Sequence, residues 1–135
     1  MSVWARIFLG LGSLALALAV VMGAFGAHVL KQALTPEALA VYETAVHYHF
    51  YQALGLLAVG LLVLHLPAMV LLRWAGGLMT VGLILFCGSL YILSFSGVRW
   101  LGGITPVGGL AFIAAWLLVA VAVWRARLPL TVKSE

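Results

Sequence analysis

Four long apolar stretches, separated by short polar segments, account for most of the chain. They extend over residues 3–27, 48–66, 71–95 and 106–124. Each stretch is close to the roughly 20 apolar residues that an α-helix needs to cross the hydrocarbon core of a bilayer. The pattern therefore predicts an all-α fold, an integral membrane four-helix bundle that forms a single transmembrane domain over residues 1–135.

The second helix is expected to begin well before its apolar part. Thr35 is a good N-cap, Pro36 suits the first helical position, and Glu37 complements the positive end of the helix dipole. A helix from Pro36 to His65 has roughly 30 residues and a length of about 45 Å. Because the hydrocarbon core is about 30 Å thick, helix two should carry an interfacial N-terminal part that ends near Tyr48.

Composition supports a bilayer as the solvent and argues against a nucleic-acid partner. The chain is 66% hydrophobic and 7% charged, whereas about 25% of the residues in soluble domains are charged. The net charge is +4, but the basic residues lie at the ends of the apolar stretches. In such places they orient the chain and contact anionic lipid, so membrane lipids are the expected partners.

The distribution of basic residues predicts the orientation. With four spans, the N-terminus, the second loop and the C-terminus lie on one side of the membrane. The positive-inside rule assigns the side with more Lys and Arg to the cytoplasm, so both termini are expected to be cytoplasmic. That side has Arg6, Arg73, Arg125, Arg127 and Lys133, and the other side has Lys31 and Arg99.

The first span contains a row of small residues at four-residue spacing: Ala15, Ala19, Gly23 and Ala27. Rows of this kind allow a second helix to approach closely. The partner helix can belong to the same chain, or to another copy. The row is therefore a candidate seam of a homo-oligomer.

Polar and ionisable side chains collect towards the outer ends of the spans. On helix two, Glu43 and His47 are four residues apart and share a face, which Tyr48 and Gln52 continue. His49 lies on roughly the opposite face, together with Tyr42. An ionisable residue at membrane depth suggests a functional site, although water is close to an outer interface.

Residues from three other segments should reach the same outer level. His28 closes the first span, Tyr91 belongs to the third, and Thr105 begins the fourth. Buried polar groups need one another as hydrogen-bond partners, so convergence is expected. The candidate polar cluster consists of His28, Ser89, Tyr91, Thr105, Glu43 and His47.

This cluster has several interpretations. Glu43 and His47 can be an ion pair on a wet helix face, part of a polar clamp between helices, or a metal or proton site. The single cysteine, Cys87, has no second cysteine with which to pair or to bind a metal. No residue set forms a catalytic motif, so we expect no cofactor and, on balance, no enzyme.

Several segments in order resemble the YgdD/YwdK-like family of small bacterial membrane proteins, to which the eukaryotic transmembrane protein 256 is similar. The segments are Gly23–Lys31, Tyr48–Leu57, Phe86–Tyr91 and Ile104–Gly109, the last followed by Phe112 and Trp116. The resemblance implies four transmembrane helices and a location in the bacterial inner (cytoplasmic) membrane. It implies no biochemical function.

Two departures from the family pattern bear on the choice of site. The family usually has Gln and His where this chain has His49 and Gln52, and Ser where it has Cys87. A site that needs imidazole at a fixed place does not easily tolerate the first exchange, which argues against metal or haem ligation by span two. His28, Ser89, Tyr91 and Thr105 match the pattern.

Three functions remain open at this point. The first is a non-enzymatic membrane protein that associates with itself or binds a lipid or partner. The second is a small oligomeric transporter or channel, although its midplane has few polar groups for a substrate. The third is a protein that binds haem, metal or quinone at the outer interface.

Overall fold

The computed structural model describes residues 1–126 and confirms the all-α fold with four long helices. Helix α1 is Val3–Ala33, α2 is Pro36–His65, α3 is Val70–Ser96 and α4 is Thr105–Arg125. A 3₁₀ turn at Arg99–Gly103 precedes α4. All four are long and apolar enough to cross a membrane, α4 together with its preceding turn. Two residues used in the predicted orientation, at positions 127 and 133, lie outside the described part of the chain.

The predicted start of α2 is confirmed. The Thr35 side chain accepts a hydrogen bond from the Ala38 backbone N–H at 3.2 Å, and Pro36 occupies the first turn. The helix of the first span is longer than its predicted stretch at residues 3–27, however. The backbone stays helical through Ala33, and the Leu34 N–H still bonds the Leu30 carbonyl at 2.9 Å. Residues 28–33 therefore extend α1 and carry His28 on a helix.

Helix α2 is the centre of the bundle and contributes the largest share of buried residues. It packs against α1 on one side and α3 on another, while α4 packs mainly on α3. The apolar core lies between these helices. Its largest fully buried side chains include Leu56, Val59, Leu72 and Met79.

Glycines set the closest helix contacts. A Cβ at Gly12 would lie 2.9 Å from the Leu57 backbone nitrogen, and one at Gly108 would lie 2.5 Å from the Phe86 backbone nitrogen. Neither distance leaves room for a side chain. The α1–α2 and α3–α4 contacts therefore depend on these two glycines.

Two helices contain a π-helical turn, at Gly26–Leu30 in α1 and at Leu83–Cys87 in α3. Each turn has a glycine at its start or just before it that makes room for a distant aromatic ring. A Cβ at Gly26 would lie 2.6 Å from Tyr42, and one at Gly82 would lie 2.5 Å from Phe112. Turns of this kind are frequent at functional sites.

The row of small residues in α1 largely packs within the chain. Ala19 is fully buried, and a Cβ at Gly23 would be 3.5 Å from Val46 on α2. Ala15 is half-buried and Ala27 is exposed. The row therefore has an intrachain partner along its middle, and its role in self-association stays a prediction.

Candidate functional site

Two members of the predicted cluster meet between α3 and α4. The hydroxyl oxygens of Ser89 and Thr105 are 2.7 Å apart, and Ser89 also bonds the Phe86 carbonyl at 3.0 Å. Thr105 lies in the first turn of α4, and Ser89 follows the π turn of α3. The contact ties the C-terminal part of α3 to the start of α4.

Tyr91 pairs with a residue outside the predicted cluster. Its hydroxyl lies 3.0 Å from His49 Nδ1, and His49 is only 6% exposed. The His49 ring also lies beside the backbone of Ala15 on α1. A buried imidazole therefore joins α2 to α3 at a point where α1 also packs.

The other three predicted members lie elsewhere. His28, Glu43 and His47 are all exposed, and within residues 1–126 none of their side chains makes a hydrogen bond or ion pair. His47 stacks on Tyr51 with ring centroids 6.4 Å apart. The structure thus separates the six predicted residues: Ser89 contacts Thr105, Tyr91 pairs with His49 from outside the predicted set, and the other three are exposed.

The Tyr42 ring packs against Tyr91 of the His49–Tyr91 pair. It is fully buried, and its ring lies 5.2 Å from that of Tyr91 and 5.8 Å from that of Phe95. Its hydroxyl donates to the Met22 carbonyl at 2.6 Å. Since Met22 precedes the π turn of α1, Tyr42 connects that turn to the centre of the bundle.

A second polar pair joins α2 to α4. The indole N–H of Trp116 donates to the Gln52 side-chain oxygen at 3.0 Å. Gln52 is 8% exposed, whereas Trp116 is 42% exposed. The pair needs a glycine as well, because a Cβ at Gly55 would lie 2.6 Å from the Trp116 ring.

The Gln52 carboxamide uses only one of its four hydrogen-bonding positions, two lone pairs and two N–H groups, within the described residues. Its oxygen accepts from Trp116, but its nitrogen donates to no group in the described residues. That nitrogen is also not among the fully enclosed polar atoms that lack a partner. Because Gln52 lines a cavity, this partly accessible nitrogen is the candidate donor for a ligand there.

This cavity is a lateral groove with a volume of about 440 Å³, which lies within the usual range for ligand pockets. We call it the α2–α4 groove. Its lining contains four aromatic side chains and no charged one. The lining residues are Tyr48, Gln52, Phe86, Gly109, Phe112, Ile113, Trp116 and Leu117.

A smaller groove of about 350 Å³ lies between α1 and α3. His49 and Tyr91 line it together with Cys87, and the rest of the lining is mostly aliphatic. Here the polar groups already bond to each other, so the groove offers few free donors. Over residues 1–126, no three His, Cys, Asp or Glu side chains are grouped so that they could hold a metal ion.

Neither His49, Gln52 nor Trp116 was predicted as a central polar residue. One signal was available in α2, where a series of residues that includes His49 recurs at steps of three and four and is buried throughout. That spacing marks the packed face of a helix. The positions are Tyr42, Ala45, His49, Ala53, Leu56, Gly60 and Val63.

Four bilayer-length helices around a polar but uncharged centre define a small multi-pass membrane protein. The chain belongs to the family described as protein of unknown function (DUF423), which matches residues 22–109. This confirms the resemblance inferred from the sequence.

Curated relatives support the same assignment. The chain is 46% identical over 117 residues to the UPF0382 membrane protein YwdK of Bacillus subtilis, covering 87% of this chain and 95% of the relative. It is 42% identical over 120 residues to the UPF0382 membrane protein SH2409 of Staphylococcus haemolyticus, covering 89% and 97%. No solved structure matches.

Proposed function

We propose that this protein is a non-enzymatic unit of the bacterial inner (cytoplasmic) membrane that binds a lipid in the α2–α4 groove. The observation that carries the proposal is the buried Gln52 carboxamide, which Trp116 holds in place while its nitrogen remains free in the groove. In a bilayer, an amide nitrogen that opens towards hydrocarbon without a hydrogen-bond partner is costly. A bound ligand with an acceptor would remove that cost.

The surroundings of the groove favour a lipid over a water-soluble ligand. Its wall residues Ile113 and Leu117 are both exposed on the outer surface of α4. In a bilayer that surface faces acyl chains, so a ligand would enter from the lipid phase. The function of the remaining helices would be to hold the groove open.

Filling the groove tests the proposal. Gly109 lines it, and a Cβ there would lie 3.7 Å from the Phe86 ring, an ordinary contact distance. The variant Gly109→Leu should therefore fold and occupy the groove. Gly10→Leu is the matched control, because Gly10 is exposed on α1 with nothing within 4 Å of a Cβ.

The measurement is native mass spectrometry with lipid extraction on protein purified in a mild detergent. The wild type and Gly10→Leu should keep a bound lipid, and Gly109→Leu should lose most of it. Equal lipid retention by all three proteins would show that the groove is not the binding site.

The orientation follows from the basic residues and is tested separately. We propose that both termini are cytoplasmic, so the loop before α4 faces outwards. A membrane-impermeant maleimide applied to intact cells should label Val98→Cys and spare Ser134→Cys. Val98 suits this purpose because it is 38% exposed. Labelling of only the second variant would reverse the orientation.

A further inference from the structure

The α2–α4 groove has walls suited to a planar ring. The Tyr48 and Phe86 rings have centroids 4.6 Å apart, and those of Phe86 and Phe112 are 5.5 Å apart. The Trp116 indole lines the same groove. Aromatic side chains favour offset or edge-on contacts with another ring, so this lining is selective for a flat unsaturated group as well as for a chain.

The polar chemistry of the groove selects a neutral acceptor. Gln52 offers N–H donors, while its oxygen is already used by Trp116. None of the eight lining residues is charged. A phosphate or carboxylate buried here would lack an ionic partner, whereas a carbonyl oxygen would satisfy the free donor at little desolvation cost.

The depth of Gln52 in the bilayer further restricts the class of ligand that the groove can bind. Gln52 precedes the cytoplasmic end of α2, at His65, by roughly 13 residues, which corresponds to about 20 Å of helix. With a hydrocarbon core about 30 Å thick, this position lies within the core. The ester carbonyls of a phospholipid belong to the interface above it. The acceptor must therefore be part of a headgroup that is itself immersed in hydrocarbon.

We propose that the α2–α4 groove binds a quinone, a neutral lipid with a planar carbonyl-bearing ring and an apolar tail. The ring lies among Tyr48, Phe86 and Trp116, and the Gln52 nitrogen donates to one ring carbonyl. Trp116 is a positioning residue, because it fixes the carboxamide through its oxygen. The step is binding alone, with no electron transfer, and it rests on the proposed lipid-binding function.

The test uses Trp116 as a fluorescent probe at the site. The other four tryptophans are at least 42% exposed, so they can be replaced by Phe to give a protein with Trp116 alone. The protein is placed in nanodiscs of phosphatidylcholine and phosphatidylglycerol and titrated with a short-chain ubiquinone. Quenching of Trp116 should saturate. A matched protein that keeps only Trp74, outside the groove, should show the linear quenching of a dissolved quinone.

The recognition of the carbonyl is tested by Gln52→Leu. Loss of one hydrogen bond should raise the half-saturating quinone concentration about five- to tenfold. Tyr51→Phe is the control, because Tyr51 is exposed and does not line the groove, and it should leave the midpoint unchanged. Geranylgeraniol, which has a prenyl tail but no ring, should not displace the quinone from the unmodified groove.

Each other outcome overturns a defined part of the proposal. Saturable quenching with an unchanged midpoint in Gln52→Leu, or displacement by geranylgeraniol, would show that the carbonyl is not recognised. Linear quenching at Trp116, with phospholipid retention still lost in Gly109→Leu, would exclude a quinone and leave the lipid-binding function intact. Linear quenching with equal lipid retention in all groove variants would end both proposals.

Discussion

Helix α2 makes two similar polar pairs with its neighbours, and they differ in how far they are enclosed. His49 pairs with Tyr91 of α3, and Gln52 pairs with Trp116 of α4, each at 3.0 Å. We call the first the enclosed pair, because His49 is 6% exposed, Tyr91 is half-buried and the Tyr42 ring packs on Tyr91, although the pair also lines the smaller α1–α3 groove. We call the second the open pair, because it lines the larger α2–α4 groove and its indole is 42% exposed.

The difference separates a structural contact from a site. In the enclosed pair the imidazole and the phenol satisfy each other, so the pair serves to hold α2 and α3 together. In the open pair, the Gln52 nitrogen has no acceptor among the described residues. Ionisable residues at membrane depth are the usual functional candidates, yet here the neutral residue Gln52 has the unused capacity and the histidine does not.

The largest effect on stability is expected from Gly108→Ala, which disturbs the packing of α4, the helix that carries Trp116 of the open pair. The added Cβ would lie 2.5 Å from the Phe86 backbone nitrogen and 2.9 Å from its Cα. Backbone cannot move aside as a flexible side chain can, so we expect a loss of about 2–3 kcal/mol in the free energy of unfolding. Reversible unfolding in mixed SDS and dodecylmaltoside measures it.

Gly103→Ala is the control for this variant, because nothing lies within 4 Å of a Cβ at that position. The enclosed pair should remain intact in Gly108→Ala, since it belongs to α2 and α3. If both glycine variants unfold alike, α4 does not depend on this contact.

A smaller effect is expected from Tyr91→Phe, which breaks the enclosed pair. The buried His49 Nδ1 would lose its partner, at a cost of about 1–2 kcal/mol in unfolding free energy. Removing both partners avoids that cost, so Tyr91→Phe should be much milder in a His49→Leu background. Gln52→Leu should cost less than Tyr91→Phe, because its indole partner is partly exposed. The reverse order of the two single variants would refute the distinction between closed and open pairs.

The smallest effect is expected from Ser89→Ala. Thr105 would still have the Leu101 carbonyl as an acceptor, at 3.4 Å, so the loss should be about 0.5 kcal/mol. Ser96→Ala is a suitable control, since Ser96 bonds within its own helix to Ile92. If Ser89→Ala lowers the unfolding free energy as much as Tyr91→Phe does, the Ser89–Thr105 contact stabilises the bundle as strongly as the enclosed pair.

Local signals explain which parts of the fold could be predicted from the sequence. The apolar runs gave the four helices, and Thr35 with Pro36 gave the start of α2, because cap and proline act on the adjacent turn. The continuation of α1 through Ala33 was missed. It depends on the π turn at Gly26–Leu30, where Gly26 makes room for Tyr42 on another helix.

The candidate site depended on contacts between distant segments. Ser89 and Thr105 are 16 residues apart on consecutive helices. Their contact could be predicted because both residues lie at the same depth in the membrane, next to the loop that joins α3 to α4. His49 and Tyr91 are 42 residues apart, and Gln52 and Trp116 are 64 apart. These pairs depend on how each helix is rotated about its axis, which the depth of a residue in the membrane does not determine.

The π turn of α3 changes the phase of that helix. One series of its buried positions advances in steps of three or four on either side of the turn but in one step of five across it. A regular α-helix turns about 100° per residue, so a single deletion within Leu83–Cys87 would rotate the C-terminal half of α3 by that angle and carry Tyr91 away from His49. The two halves of α3 are thus separately aligned segments, and an insertion or deletion between them would change the alignment of one half relative to the other. The series consists of Leu72, Ala75, Met79, Gly82, Cys87, Leu90 and Ser94, and Gly76 and Ser89 are buried beside it.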